Sequence, residues 1–264
     1  MKHKRILAMI LAVASCLSLA VSASATGAMN RKATDFKDFD RTAWYADAVS
    51  AAVDNGLLYG KSSTIIDPNG DMTRAEMAAI INRSFGCYAK ADISKYKDVS
   101  KDKWYFEDVA MAVQMGTYNG RSNTAMAPDA PITRQEAMTV AARALELDYD
   151  LYSETDLSAF SDRSEISNWA LPYVRAMVGA DYIHGRGKTL APQDNITRAE
   201  FAQIFANIIK SYITVKGEYA KDHDGNLLVR CAEVTLKDMT IKGDLIIGCG
   251  AADGKITLDN VTVT

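Results

Sequence analysis

The chain has 264 residues, a formal net charge of −3 and an aromatic content of 8%. That length suits one large or two modest domains, and the charge excludes a broadly basic nucleic-acid surface. An apolar content of 48% is enough for a packed core.

The N-terminus reads as an export signal. Lys2, His3, Lys4 and Arg5 precede an apolar run from Ile6 to about Val21, closed by Ala23-Ser24-Ala25. A basic start, an apolar stretch and an A-x-A end form a secretory signal peptide, 1–25. A retained anchor and lipid attachment at Cys16 are the alternatives, but the run is short for a span and stays apolar beyond Cys16. No later run is long enough to span a membrane, so no stable insertion is expected once the signal is cleaved.

From residue 34 the chain repeats itself. Trp44, Trp104 and Trp169 precede Thr73, Thr133 and Thr197 by 29, 29 and 28 residues. Gly56, Gly116 and Asp181 fall 12 after each Trp, and Gly60, Gly120 and Gly185 fall 16 after it. Pro68, Pro128 and Pro192 follow in register, and Phe36-Lys37-Asp38, Tyr96-Lys97-Asp98 and Phe160-Ser161-Asp162 stand upstream. A fixed period of about 60 residues marks three copies of one unit, with expected spans 34–90, 94–150 and 158–213.

Each unit predicts two helices. The first starts near the Trp, with Trp44, Ala48, Val49, Ala52 and Val53 on one face, and stops at Asn55-Gly56. The second starts at a capping box, Thr73-x-x-Glu76, Thr133-x-x-Glu136 and Thr197-x-x-Glu200. Its apolar face is Met77, Ile80 and Ile81 in the first copy, Met138, Ala141, Ala142 and Leu145 in the second, and Phe201, Ile204, Phe205 and Ile208 in the third. Helices this short bury their faces only against one another, so one helical body over 34–213 is expected.

Arg74, Arg134 and Arg198 occupy the first helical position, where the macrodipole disfavours a cation. One reading makes each a fork for a carboxylate or phosphate beside unpaired helix-start amides. The plainer reading pairs each with an acid of the adjacent unit, but repetition at this awkward position in all three copies favours the fork. Trp44, Trp104 and Trp169 could offer a face to a sugar ring, although a large aromatic at a helix start more often packs inward. Asp38, Asp98 and Asp162 suit caps of the first helix, or a groove lining.

The order aromatic-x-Asp, Trp, Gly, Pro and Thr-Arg-Ala-Glu, three times over after a signal peptide, resembles a tandem of S-layer homology domains. The resemblance covers about two thirds of the chain. It implies a three-fold pseudosymmetric helical domain, and hence a mainly α fold. It also implies non-covalent anchoring of an exported protein to a bacterial cell wall. The implied ligand is an anionic secondary cell-wall polysaccharide, often carrying a pyruvyl ketal, with the arginine of the motif taking part. Gln135 and Asp181 depart from the other copies, which could make three unequal sites.

After residue 213 the period changes. Val234 aligns with Ile256, Leu236 with Leu258, Asp238 with Asn260 and Ile241 with Val263, all at an offset of 22. Alternating β-branched residues between Gly and Asp turns predict strands. A 22-residue repeat predicts a β-solenoid-like segment over 214–264, the start of a parallel β-helix and a fragment of something longer; a small closed β-domain is the alternative. Past the signal, three cysteines remain: Cys87 reads as a buried thiol, and a Cys231–Cys249 bridge is open to an exported chain.

No catalytic motif, metal-ligand spacing or cofactor loop is present. Asp222–Asn226 lacks the ligand set of a calcium loop and reads as a polar linker turn. The chain is therefore expected to be a binding module without cofactor or metal, not an enzyme. A wall-anchored polysaccharide-degrading enzyme with its catalytic part elsewhere, and a helical protein-binding scaffold, are the alternatives.

Overall fold

A computed structural model describes residues 6–8 and 31–264. Apart from Ile6–Ala8, the expected signal peptide lies outside the described residues. Among the described residues each repeat contributes two α-helices: α1 (Ala46–Asp54) and α2 (Arg74–Phe85), α3 (Phe106–Gln114) and α4 (Arg134–Ala144), and α5 (Leu171–Gly179) and α6 (Arg198–Ile208). Both expected faces are buried, including Val49, Ala52, Met77, Ile81, Met138, Phe201 and Phe205. The helices pair across repeats, α2 against α3, α4 against α5 and α6 against α1. The last pairing closes the three repeats into a ring.

Isolated bridges stitch the ring at its centre: Thr73 to Pro131, Thr133 to Asn195, and Asp71 to Thr197. Each link joins one repeat to another, so no repeat completes its own core. The first helix of each repeat ends in a left-handed residue, Gly56 (φ 66°), Gly116 (φ 75°) and Asp181 (φ 67°).

The remaining chain forms parallel strands. β1 (Ile6–Ala8), β2 (Ser211–Ile213), β5 (Leu227–Val229) and β7 (Leu245–Ile247) make one sheet in the order β1-β7-β5-β2. β3 (Gly217–Tyr219), β4 (His223–Asp224) and β8 (Ile256–Val263) all pair with β6 (Val234–Lys242) in a second sheet. A separate apolar cluster fills this region, built on Leu227, Val229, Val234, Leu236, Ile241 and Leu245.

The expected mainly α fold with a β-solenoid-like tail is corrected here. Among the described residues 32% are helical and 17% are in strands, and the C-terminal part is a region of parallel strands with no solenoid. The 22-residue offset is real, since Val234 pairs with Ile256 and Ile241 with Val263. It belongs to that one pairing. In the other sheet Ser211 pairs with Leu227 and Leu227 with Leu245, offsets of 16 and 18. A single self-alignment was therefore no measure of a coil length. Asp222–Asn226, expected as a linker turn, contains β4.

The sheets are fastened to the ring. Arg230 donates from Nη1 to the Arg83 carbonyl at 2.9 Å and from Nη2 to the Asn55 carbonyl at 2.8 Å. A cation thus serves orphan carbonyls at two helix C-termini. Cys87 is disulfide-bonded to Cys249, 162 residues away, and among the described residues Cys231 is the free thiol. This corrects both cysteine expectations. The α2 end and the 249–251 turn meet through Gly86, Gly248 and Gly250, where a Cβ on Gly250 would lie 2.2 Å from the Arg230 carbonyl.

Candidate inter-repeat grooves

The three motif arginines are buried, at 3–5% exposure. Each reaches out of its own repeat into the next. Arg74 donates from Nε to the Met126 carbonyl and pairs through Nη1 with Glu136 at 3.2 Å. Arg134 donates to the Leu190 carbonyl and pairs with Glu200 at 3.1 Å. Arg198 donates to the Ile66 carbonyl and pairs with Glu76 at 3.3 Å. Three equivalent pairs run around the ring in one sense.

The amides at the helix starts are also engaged. The Arg74 and Ala75 amides donate to the carbonyls of Ala130 and Pro128, those of Arg134 and Gln135 to Asp194 and Pro192, and those of Arg198 and Ala199 to Gly70 and Pro68. Glu76 donates its amide to Thr73 Oγ1, and the Glu76 carboxylate accepts from the Thr73 amide, completing the capping box. The expected cluster of unpaired amides is absent at these starts. Each arginine sits where the dipole disfavours it because its charge is spent one repeat away.

The capping-box glutamates carry a second cation that sequence reading passed over. Lys61 pairs with Glu76, Arg121 with Glu136 at 3.3 Å, and Arg186 with Glu200 at 2.6 Å. All three follow the loop glycine by one position, which was a readable signal. Burial acts to raise the Glu76 carboxyl, but Lys61, the Thr73 amide and Arg198 outweigh it and hold it below the usual carboxylate range. Glu200 is lowered likewise: Arg186, the Thr197 amide and Arg134 overcome its burial. Burial in turn lowers Arg134 and Arg198, against the pull of Glu200 and Glu76.

The aspartates do neither expected task. Asp38 accepts from the amides of Ile66 and Asp67, Asp98 from Met126 and Ala127, and Asp162 from Leu190 and Ala191. Asp67, Ala127 and Ala191 have positive φ, 54°, 54° and 49°, immediately before the proline. Each carboxylate therefore holds the strained turn that aims the proline carbonyl at its partner helix. The upstream ring packs where no Cβ intervenes: one on Gly60 would lie 2.4 Å from Phe36.

The tryptophans are not core. Trp44, Trp104 and Trp169 are 62%, 59% and 52% exposed. The residue after each is buried instead, Tyr45, Tyr105 and Ala170. Trp44 and Trp104 stand edge-on to that tyrosine, at 5.6 and 5.4 Å between centroids.

Trp104 borders a groove of about 400 Å³ between the first and second repeats, with Tyr59, Lys61, Glu76, Arg83 and Arg198. Arg83 lies over the Tyr59 ring at 4.0 Å, a cation–π contact. Trp44 borders a wider cavity of about 620 Å³ with Gln203 and Asn207 of the third repeat and Lys210, Tyr212 and His223 of the sheet region. Gln135, the departure in copy two, exchanges two hydrogen bonds with Ser167, at 2.9 and 3.1 Å. Among the described residues no group of His, Cys, Asp and Glu is arranged to hold a metal, and no helix is long and apolar enough to cross a membrane.

The S-layer homology domain family matches residues 35–78, 95–138 and 159–202. The chain is 35% identical over 184 residues to a surface-layer 125 kDa protein of Lysinibacillus sphaericus, covering 68% of this chain and 15% of that protein. It is 30% identical over 170 residues to an amylopullulanase of Thermoanaerobacterium thermosulfurigenes, covering 63% and 9%. It is 28% identical over 149 residues to a cellulosome-anchoring protein of Acetivibrio thermocellus, covering 54% and 33%. The matched part thus spans a third or less of each of these relatives. Such domains are cell-wall anchoring modules of surface proteins. With three matches in register on a ring of three helix pairs, the chain belongs to the S-layer homology domain family.

Proposed function

We propose that this chain is a non-covalent anchor that holds an exported protein on the bacterial wall by binding an anionic, pyruvylated secondary cell-wall polysaccharide. The observation that carries this reading is the groove at Trp104. An exposed indole stands beside three cations, Lys61, Arg83 and Arg198, against the carboxylates of Glu76 and Asp129. An aromatic face suits a sugar ring, and guanidinium forks suit a carboxylate. Arg198 both locks the seam and reaches the groove; Lys61 and Arg83 extend the positive lining. The chain acts as a binding module, with any catalysis belonging to other parts of the protein that carries it. A second reading, an anchor for a polysaccharide-degrading enzyme, is prompted by the amylopullulanase relative.

The test is co-sedimentation with protein-free walls, native or chemically stripped of secondary polymer. The variant is the triple Trp44, Trp104 and Trp169→Ala, because exposed indoles can be removed without opening the core. Binding that needs both polymer and indoles supports the proposal. Equal binding to stripped walls would move the ligand elsewhere, and no binding to any wall would leave a protein-binding scaffold.

A further inference from the structure

The third repeat holds a cavity away from the inter-repeat grooves. The segment 153–158 lies against α5 and borders an open cleft of about 420 Å³. The close approach depends on Gly179: a Cβ there would lie 2.5 Å from both Thr155 Oγ1 and Tyr152 Cδ1. Leu157 and Leu171 give the cavity an apolar side. Arg163 and Arg175 give it two guanidinium groups.

These arginines are not features of the repeat. Arg163 follows the conserved-register Asp162 where Phe39 and Val99 follow Asp38 and Asp98. Arg175 lies six after Trp169, where Ser50 and Ala110 lie six after Trp44 and Trp104. The repeat pattern does not call for them, although Arg163 donates from Nη1 to the Phe160 carbonyl at 3.4 Å. Arg175 Nε is buried and meets no acceptor. A buried guanidinium N–H without a partner is unfavourable and rare. Of the two acids at the cavity, Asp156 is engaged by the Ser158 amide and hydroxyl, both at 2.7 Å, while Glu154 is exposed at the rim.

We propose that this cavity binds an oxyanion, a carboxylate or phosphate borne by a saccharide, with the Arg175 and Arg163 guanidinium groups that line it donating to the oxygens. The guanidinium edge matches both oxyanions, and the leucine side suits a sugar face. That the group is carried by a saccharide rests on the wall-binding proposal; the anion chemistry does not.

The experiment follows the arginine Nε–Hε resonances of the full chain by NMR during titration with methyl glucuronide, inorganic phosphate or neutral methyl glucoside. A saturable shift of Arg175 with the glucuronide identifies a carboxylate, and with phosphate a phosphate; methyl glucoside should give neither. Arg163→Gln, at an exposed position, should weaken the anion by tenfold or more. The triple Trp→Ala variant should respond as the parent does. No saturable shift with either anion, an equal response to methyl glucoside, or unchanged affinity in Arg163→Gln would each overturn the proposal. The wall reading fails separately, by the sedimentation of the Trp variant.

Discussion

The groove at Trp104 and the groove at Trp44 share a backbone and a seam, yet they offer different surfaces. Beside Trp104, Arg83 lies over Tyr59 and adds a cation. At the matching position beside Trp44 stands Asn207, which accepts from Gln203 at 2.9 Å and donates to the Tyr182 carbonyl at 3.1 Å. There the sheet region supplies a wall, with Lys210, Tyr212 and His223. Burial and nearby Lys221 hold His223 below the usual imidazole range, against Asp222, so it adds no positive charge at neutral pH. The framework is set by the buried arginine–glutamate pairs, and the charge of each groove is set by what is laid over them.

The largest effect expected comes from breaking that framework unequally. Arg198→Ala would strip the carbonyls of Ile66 and Tyr59 of their donor and leave Glu76 with Lys61 alone for a cation. Removing one partner of a buried pair costs about 3–5 kcal/mol. Arg134→Ala should cost less, because Glu200 keeps a two-pronged contact with Arg186, at 2.6 and 3.0 Å. Urea unfolding of the two variants would decide it; equal losses would mean that Arg186 does not compensate.

Acid should act on the same pairs more gently. The folded Glu76 and Glu200 carboxyls lie below their ordinary 4.5. The native state therefore binds fewer protons than the unfolded chain in that range. Their contribution is complete above about pH 4.5 and is lost as pH falls through the folded values. Urea midpoints measured from pH 7 to pH 3 should fall at the acid end, and Glu76→Gln and Glu200→Gln should each flatten the fall. An unchanged slope in Glu200→Gln would show that the Trp44 seam adds nothing to acid sensitivity.

Next comes binding. Trp104→Ala should weaken attachment to native walls by about tenfold, equivalent to about 1.4 kcal/mol. Trp44→Ala should weaken it only a few-fold, since its groove lacks the Arg83 counterpart. Both should leave stability within about 0.5 kcal/mol, as surface substitutions do. A stronger loss in Trp44→Ala would make the sheet-walled groove the principal site.

Much of the ring was legible because its signals are local. Thr73 and Glu76 announce a helix start within four residues, and Met77, Ile80 and Ile81 announce its buried side. For Arg74, Arg134 and Arg198 the structure shows the plainer reading, pairing with an acid of the adjacent unit, and not the favoured fork beside unpaired amides. The partner itself was out of reach, because Arg74 and Glu136 are 62 residues apart. Asp38 looked like a cap because a cap is the local use of an aspartate; its amides lie 28 and 29 residues on. The tryptophans misled for another reason. A large aromatic at a helix start has to bury something, but here the next residue does so, and the Trp-Tyr pairs 44–45 and 104–105 left both assignments open. The Cys87–Cys249 bridge crosses from ring to sheet, and no spacing within either part could reveal it.

The smallest effect concerns the loop that follows α5 in the third repeat. Asp181 adopts φ 67° where Gly56 and Gly116 adopt 66° and 75°. An L-residue in that region costs roughly 1–2 kcal/mol relative to glycine, less for aspartate than for most. Its exposed contact with His184, at 3.6 Å, offsets little of this. Asp181→Gly should therefore raise stability by about 0.5–1 kcal/mol in urea unfolding. The converse, Gly116→Asp, meets no neighbour within 4 Å of its Cβ and should lower stability by a similar amount. If both shifts appear, Asp181 is a strain the third repeat tolerates, and the difference between grooves lies in their linings alone. If Asp181→Gly destabilises instead, the side chain is holding the His184–Arg186 turn, and the third repeat differs from the others in its frame as well.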